Sequence, residues 1–226
     1  MNKVLLAGVV GSTAYGLAHA GSDVDRLGVF AAPTIDLTGL NRPKESIVMT
    51  KPDLTVHEAA KAIRLMLSCN PTVTELLWLP SHLYKVRTNL GAELLGIRAE
   101  LLSAPRVRSA YFGYAVSQLR RLGDDGDHDP ADRRARVAKR ARHLSRLIEQ
   151  GRSLYESGRL TVVLQDPARH VAFGEQVAEG RLDRAKQLLA EADEAFASIR
   201  SPLPDHPREE AAEQWLRRVR IAHWEV

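Results

Sequence analysis

Residues 11–25 read GSTAYGLAHAGSDVD, and two readings of them lead to different proteins. In the first, Lys3, the apolar run Val4–Val10 and Ala18-His19-Ala20 are the charged, apolar and small-residue regions of a secretory leader. In the second, the apolar run is a buried strand that ends in a Gly-Ser turn, and two aspartates follow at i, i+2. The leader reading fits poorly. Its charged region holds one lysine, its apolar run contains Gly8, and Gly11–Leu17 is long and polar for a cleavage region. The strand reading organises everything that follows.

The chain has 226 residues, 44% hydrophobic and 27% charged, which suits one large or two small globular domains with a real core. No apolar run approaches the roughly 18 residues of a membrane helix, so no membrane partner is expected. The single cysteine, Cys69, excludes an intrachain disulfide, and a lone thiol fits a reducing cytoplasm, the expected location. A formal net charge of +4 tilts the chain weakly towards anionic partners.

Strand patterns come first and helix patterns last. After Val4–Val10, Gly11–Ala20 reads as a turn with one or two helical turns, Asp23–Phe30 as a second strand, and Ala31–Arg42 as a loop. Ser46–Thr50 and Asp53–His57 are β-rich pieces broken by Lys51-Pro52. The period then becomes helical over His57–Cys69, Thr72–Trp78, Gly91–Leu102, Arg106–Leu122, Ala131–Gly158, Leu182–Ile199 and Arg208–Val219. The expectation is an α+β fold: a small mixed sheet domain over 1–105, followed by a helical domain over 106–226.

In a strand, alternate side chains share a face, so Asp23 and Asp25 project together while Val24 turns to the core. Two adjacent carboxylates repel unless a cation lies between them. Hard divalent ions take oxygen ligands, commonly one or two carboxylates plus substrate phosphates. Asp-x-Asp is also common in solvated turns, and alone it decides little. Here it follows the Gly11-Ser12 turn, whose backbone N–H groups and hydroxyl suit an anion. A phosphate turn followed by a metal pair fits a metal-bound triphosphate.

GSTAYGLAHAGSDVDRLGVF resembles the signature of the DNA polymerase β-type nucleotidyltransferases. It is most similar to bacterial and phage members that carry GS-x-x-YGL followed by SD-x-D-x-x-G-V: Gly11, Ser12, Tyr15, Gly16, Leu17, then Ser22, Asp23, Asp25, Gly28, Val29. The segments 53–80, 111–122 and 139–162 are similar to the same members, so the resemblance covers most of residues 4–165. It implies a third carboxylate on a neighbouring strand. Asp53 is the candidate, with Glu58 and Glu45 next. It also implies two Mg²⁺ or Mn²⁺ ions held by Asp23, Asp25 and Asp53, with Gly11, Ser12 and Tyr15 at the nucleotide. The implied reaction moves a nucleoside monophosphate from a nucleoside triphosphate, ATP being the first choice, to an acceptor hydroxyl with release of pyrophosphate.

In the helical half, Lys139, His143 and Arg146 fall on one helix face, extended by Arg136. On charge alone this is a solvated basic face; the resemblance of KRARHLSRL implies that it closes over the nucleotide. Arg134, Arg140 and Arg142 lie partly off that face and could meet an RNA or DNA backbone, the first choice of acceptor. Glu75 is a candidate supporting residue, and Asn70 reads as a helix cap. His19 reads as surface, Cys69 as buried and inert, and Trp78, Trp215 and Trp224 as packing residues. The acidic loop Gly123–Asp129 lacks the glycine placement of a calcium loop and reads as solvated. Two rival functions stay open: a catalytically silent nucleotide-binding or antitoxin-like module, and a nucleic-acid-binding helical protein whose Asp-x-Asp is incidental.

Overall fold

A computed structural model describes residues 2–51, 53–122 and 130–224. The acidic loop 123–129 singled out in the sequence lies outside them. The chain divides into two compact units, Met1–Ser103 with His206–Val226, and Ala104–Asp205.

The first unit is built on β1 (Lys3–Val9), whose residues from Leu5 onward are all buried. It pairs antiparallel with β2 (Arg26–Ala31) on one side and with β5 (Tyr84–Arg87) on the other. β2 pairs parallel with β4 (Asp53–Glu58), and β4 antiparallel with β3 (Ser46–Thr50), giving a mixed sheet in the order β3-β4-β2-β1-β5. An all-apolar strand such as β1 needs cover on both faces, so it takes an interior place. Gly28 of β2 is dictated by close approach: a Cβ there would lie 2.9 Å from the Leu6 carbonyl oxygen and 3.1 Å from Val56 Cγ1.

Several expectations shift in detail. β2 begins at Arg26, not Asp23, because a turn closes first: the Ser22 amide donates to the His19 carbonyl, and the His19 amide to Ser22 Oγ. Val24 is therefore 44% exposed and not in the core. The expected loop 31–42 contains a short helix, α2 (Thr34–Thr38), which follows α1 (Gly11–Tyr15) in the chain. α3 (Ala59–Leu67) and α4 (Pro71–Thr74) come next, then a 3-10 turn, Glu75–Trp78. Glu58 caps α3, Asn70 caps α4, and Cys69 between them is buried at φ +54°. α5 (Asn89–Gly96) is shorter than expected because Thr88 caps its start and a 3-10-like turn follows Ile97.

The second unit packs α6 (Ala104–Leu122), α7 (Pro130–Ser157), α8 (Pro167–Ala178) and α9 (Leu182–Ser198). Phe196 stands edge-on to both Phe112 and Tyr155. α8, which hydrophobic periodicity does not mark, carries an Asp166 cap and Pro167 at its first position.

α10 (Glu209–Ala222) corrects the expected division. Residues 206–226 do not continue the helical unit but return to the sheet unit. Trp215 is fully buried and donates from Nε1 to the Leu90 carbonyl. Arg220 forms a two-pronged pair with the buried Glu58, at 2.6 and 3.0 Å. The Thr34 hydroxyl donates to the Arg220 carbonyl of α10, and its amide to the carbonyl of His223 just past the helix end. An apolar stripe holding Ala211, Ala212, Trp215 and Val219 must be covered, and the sheet unit supplies the cover. Trp224, read from the sequence as a packing residue, is 53% exposed.

Candidate functional site

The site begins where β1 stops. Gly11 opens α1 at φ +68°, a conformation that side chains disfavour, and a Cβ there would collide with Oδ2 of Asp25. Glycine thus serves two ends: it lets the chain leave the sheet abruptly, and it lets the Asp25 carboxylate lie against the turn. The Val10 amide donates to the Asp25 carbonyl at 3.0 Å, which carries the β1–β2 ladder one step past Arg26.

That extra step matters for Asp53. Arg26 is registered with Leu54 in the parallel pair, so the residue before each, Asp25 and Asp53, stands at the same end of adjacent strands. Phe30 and Val56 share a core cluster on one face of the sheet. By alternation Asp53, Thr55 and His57 of β4 belong to the opposite face, with Leu27 and Val29 of β2. The runners-up for a third carboxylate are engaged elsewhere. Glu58 is buried, caps α3 and pairs with Arg220, and Glu45 pairs with Arg64.

Asp23 lies in the exposed stretch before β2, one turn after His19, which is itself exposed. Among the described residues no group of three or more His, Cys, Asp or Glu is gathered to hold a metal ion. Two carboxylates with bound phosphates are a common donor set for a hard cation, and Asp25 and Asp53 are the carboxylates that the strand register places side by side.

Tyr15 does not point outward. Its hydroxyl donates to Glu75 Oε2 at 2.5 Å, with both residues buried. The bond ties α1, directly after the Gly-Ser turn, to the 3-10 turn 75–78. Around that turn the Arg98 guanidinium lies 4.5 Å above the Trp78 ring, and the Tyr84 hydroxyl donates to the Leu76 carbonyl. Burial pushes the Tyr84 hydroxyl up to about 12, so it remains a donor. The sequence marked Glu75 but gave it no partner; a pair sixty positions apart has no local signature.

His57 was not singled out in the sequence. Its Nδ1 and the Lys61 ammonium both meet the Ser46 hydroxyl, at 2.9 and 2.7 Å. Burial first, then the Lys61 charge, hold its pKa below the usual histidine value.

Lys139, His143 and Arg146 belong to the second unit. Lys139 is exposed. His143 stands edge-on to Tyr114, 5.5 Å between ring centroids, and Arg146 Nη2 lies 3.0 Å from its Nδ1. Burial, with the charges of Arg146 and Lys139, holds His143 down at about 3, so it is neutral at ordinary pH. Arg146 is buried and donates to Gln150 Oε1 at 2.5 Å, which sets it inside the unit rather than on an open face. Nearby, Ser145 Oγ and His170 Nδ1 lie 2.9 Å apart, and His170 Nε2 is 3.1 Å from Glu149 Oε2. That chain of bonds fastens α8 to α7.

The model of the RNA repair pathway DNA polymerase beta family, RlaP, matches residues 1–213. The chain belongs to that family. No curated protein matches it significantly. Among the described residues no helix is long and apolar enough to cross a membrane.

Proposed function

Starting from that membership, we propose that the chain transfers a nucleoside monophosphate from a nucleoside triphosphate to an acceptor hydroxyl, releasing pyrophosphate, and that the acceptor is an RNA end. The observation that carries the reading is the packing of the Gly11 turn against Asp25, with Asp53 at the same end of the adjacent parallel strand. Family membership and its stated RNA repair pathway support the choice of RNA.

In this reading the amides of the Gly11-Ser12 turn receive the distal phosphates of the donor. Asp25 and Asp53, with Asp23 from the preceding loop, would hold Mg²⁺ or Mn²⁺. Such ions supply charge neutralisation on the leaving pyrophosphate and lower the pKa of the attacking hydroxyl. The protein's share is positioning: a β-ladder fixes the two strand-start carboxylates, and the Tyr15–Glu75 bond fixes the helix that follows the turn. ATP is the first donor to try, and the cytoplasm the expected location.

A second reading has one observation behind it. No trio of metal-holding side chains is gathered among the described residues, as suits a module that binds nucleotide without turning it over. Transfer of an α-phosphate label from each of the four ribonucleoside triphosphates to an oligoribonucleotide separates the two. The proposal expects labelled RNA together with free pyrophosphate. Tight nucleotide binding with neither product would favour the silent module.

A further inference from the structure

We propose that the groove between α6 and α7 binds single-stranded nucleic acid, with Tyr114 as the platform for a base and Arg121, Arg136 and Lys139 as phosphate contacts. The inference deepens the proposed function, for which such a strand is the acceptor, but the binding it describes needs neither nucleotide nor catalysis.

Charge segregation is the first support. α6 carries four arginines and no carboxylate, and residues 133–148 of α7 carry six arginines, one lysine and no carboxylate. The whole chain sums to only +4, so the positive charge is concentrated on these two helices. Some of it is spoken for: Arg134 pairs with Glu175 and Glu179 of α8, and Arg108 with Asp193 of α9.

Geometry is the second. Tyr114 lies beside His143, and the Arg121 carbonyl, two turns further along α6, accepts from Arg140 Nη1 at 2.5 Å. The helices therefore run antiparallel, and α7 brings Arg136, Lys139 and His143, at i, i+3 and i+7, along the same seam. Tyr114 is 37% exposed, an aromatic ring on a helix otherwise edged by cations. Lys139 and Arg121 are exposed.

Arg136 is the third. Its Nη2 is shut off from solvent and has no hydrogen-bond partner among the described residues. A guanidinium with an unmet donor is unfavourable, and turning the half-buried Arg136 side chain outward onto a phosphate oxygen would supply the acceptor whose geometry it matches best. Cations along a groove with an exposed ring for stacking are the elements of single-strand recognition, because paired bases offer no free face.

The test uses the full chain and the anisotropy of a labelled oligouridylate, in chelator, without nucleotide, over a salt series; an oligothymidylate forms the DNA arm. Binding is expected in at least one arm, with log K falling linearly in log salt. Arg136→Gln and Lys139→Gln should each reduce the slope by about 0.7. Tyr114→Ala should weaken binding roughly tenfold at unchanged slope. Lys139 is exposed, so Lys139→Glu keeps the fold and must also weaken binding. Absence of binding in both arms, or wild-type affinity and slope in Lys139→Glu and Tyr114→Ala, would overturn the proposal. Asp25→Asn should bind the strand normally. If the strand binds but no transfer is found with any acceptor, the proposed reaction fails while the groove stands.

Discussion

Tyr15 and Glu75 join two segments sixty positions apart through a single buried bond. The phenol hydroxyl meets the carboxylate at 2.5 Å, and neither residue is open to solvent. Tyr15→Phe keeps the ring in place and removes the donor, leaving a buried carboxylate short of one partner. The expected cost is about 1–3 kcal/mol in urea unfolding. Because α1 follows the Gly11 turn directly, affinity for nucleoside triphosphate should fall as well. Unchanged stability and nucleotide affinity in Tyr15→Phe would show that the bond does not hold the turn.

At the scale of elements, α10 and α7 each carry a charge arrangement that can be read in stability. Glu58 is 5% exposed and Arg220 20%, and they meet through two hydrogen bonds. Removing one partner of such a pair leaves an uncompensated charge, so Arg220→Ala should destabilise the chain by about 3 kcal/mol, measured by denaturant titration. A loss near zero would mean that α10 docks through Trp215 alone. On α7, folded His143 stays neutral down to about 3, whereas in the unfolded chain it takes a proton near 6.5. Between those values the unfolded state binds more protons. Stability from this group is therefore complete above 6.5 and is lost as pH falls towards 3. The expected slope is up to about 1.4 kcal/mol per pH unit. His143→Gln should flatten it, leaving the part due to His170, whose pKa burial also lowers. An identical pH profile in the variant would contradict the assignment.

Across the whole molecule, what the sequence disclosed follows from the range of the forces involved. β1, β3 and β4 were legible because apolar runs broken by Gly and Pro encode strand and turn locally. The Asn70 cap was legible for the same reason, as was the order of strands first and helices last. Asp25 and Asp53 could be nominated from a signature, but their placement at one end of adjacent strands depends on a parallel register that no local pattern carries. The Val24 expectation failed because a side-chain turn at Ser22 delays the strand, and alternation holds only inside a ladder. β5, four residues long, is too short for a periodic signal. The return of α10 to the sheet unit rests on Glu58–Arg220 and Trp215–Leu90, contacts between residues over a hundred positions apart.

The central claim is that the Gly11 turn and the strand-start carboxylates form a nucleotidyl-transfer site. Its most direct test is pyrophosphate release from a nucleoside triphosphate by the full chain, with Mg²⁺ or Mn²⁺ and RNA, compared with Asp25→Asn and Asp53→Asn. The two variants change a charge without changing shape, so fold and thermal transition should be preserved. Release is expected to depend on added metal and to fall at least about a hundredfold in each variant. Release at the wild-type rate from folded Asp25→Asn would contradict it.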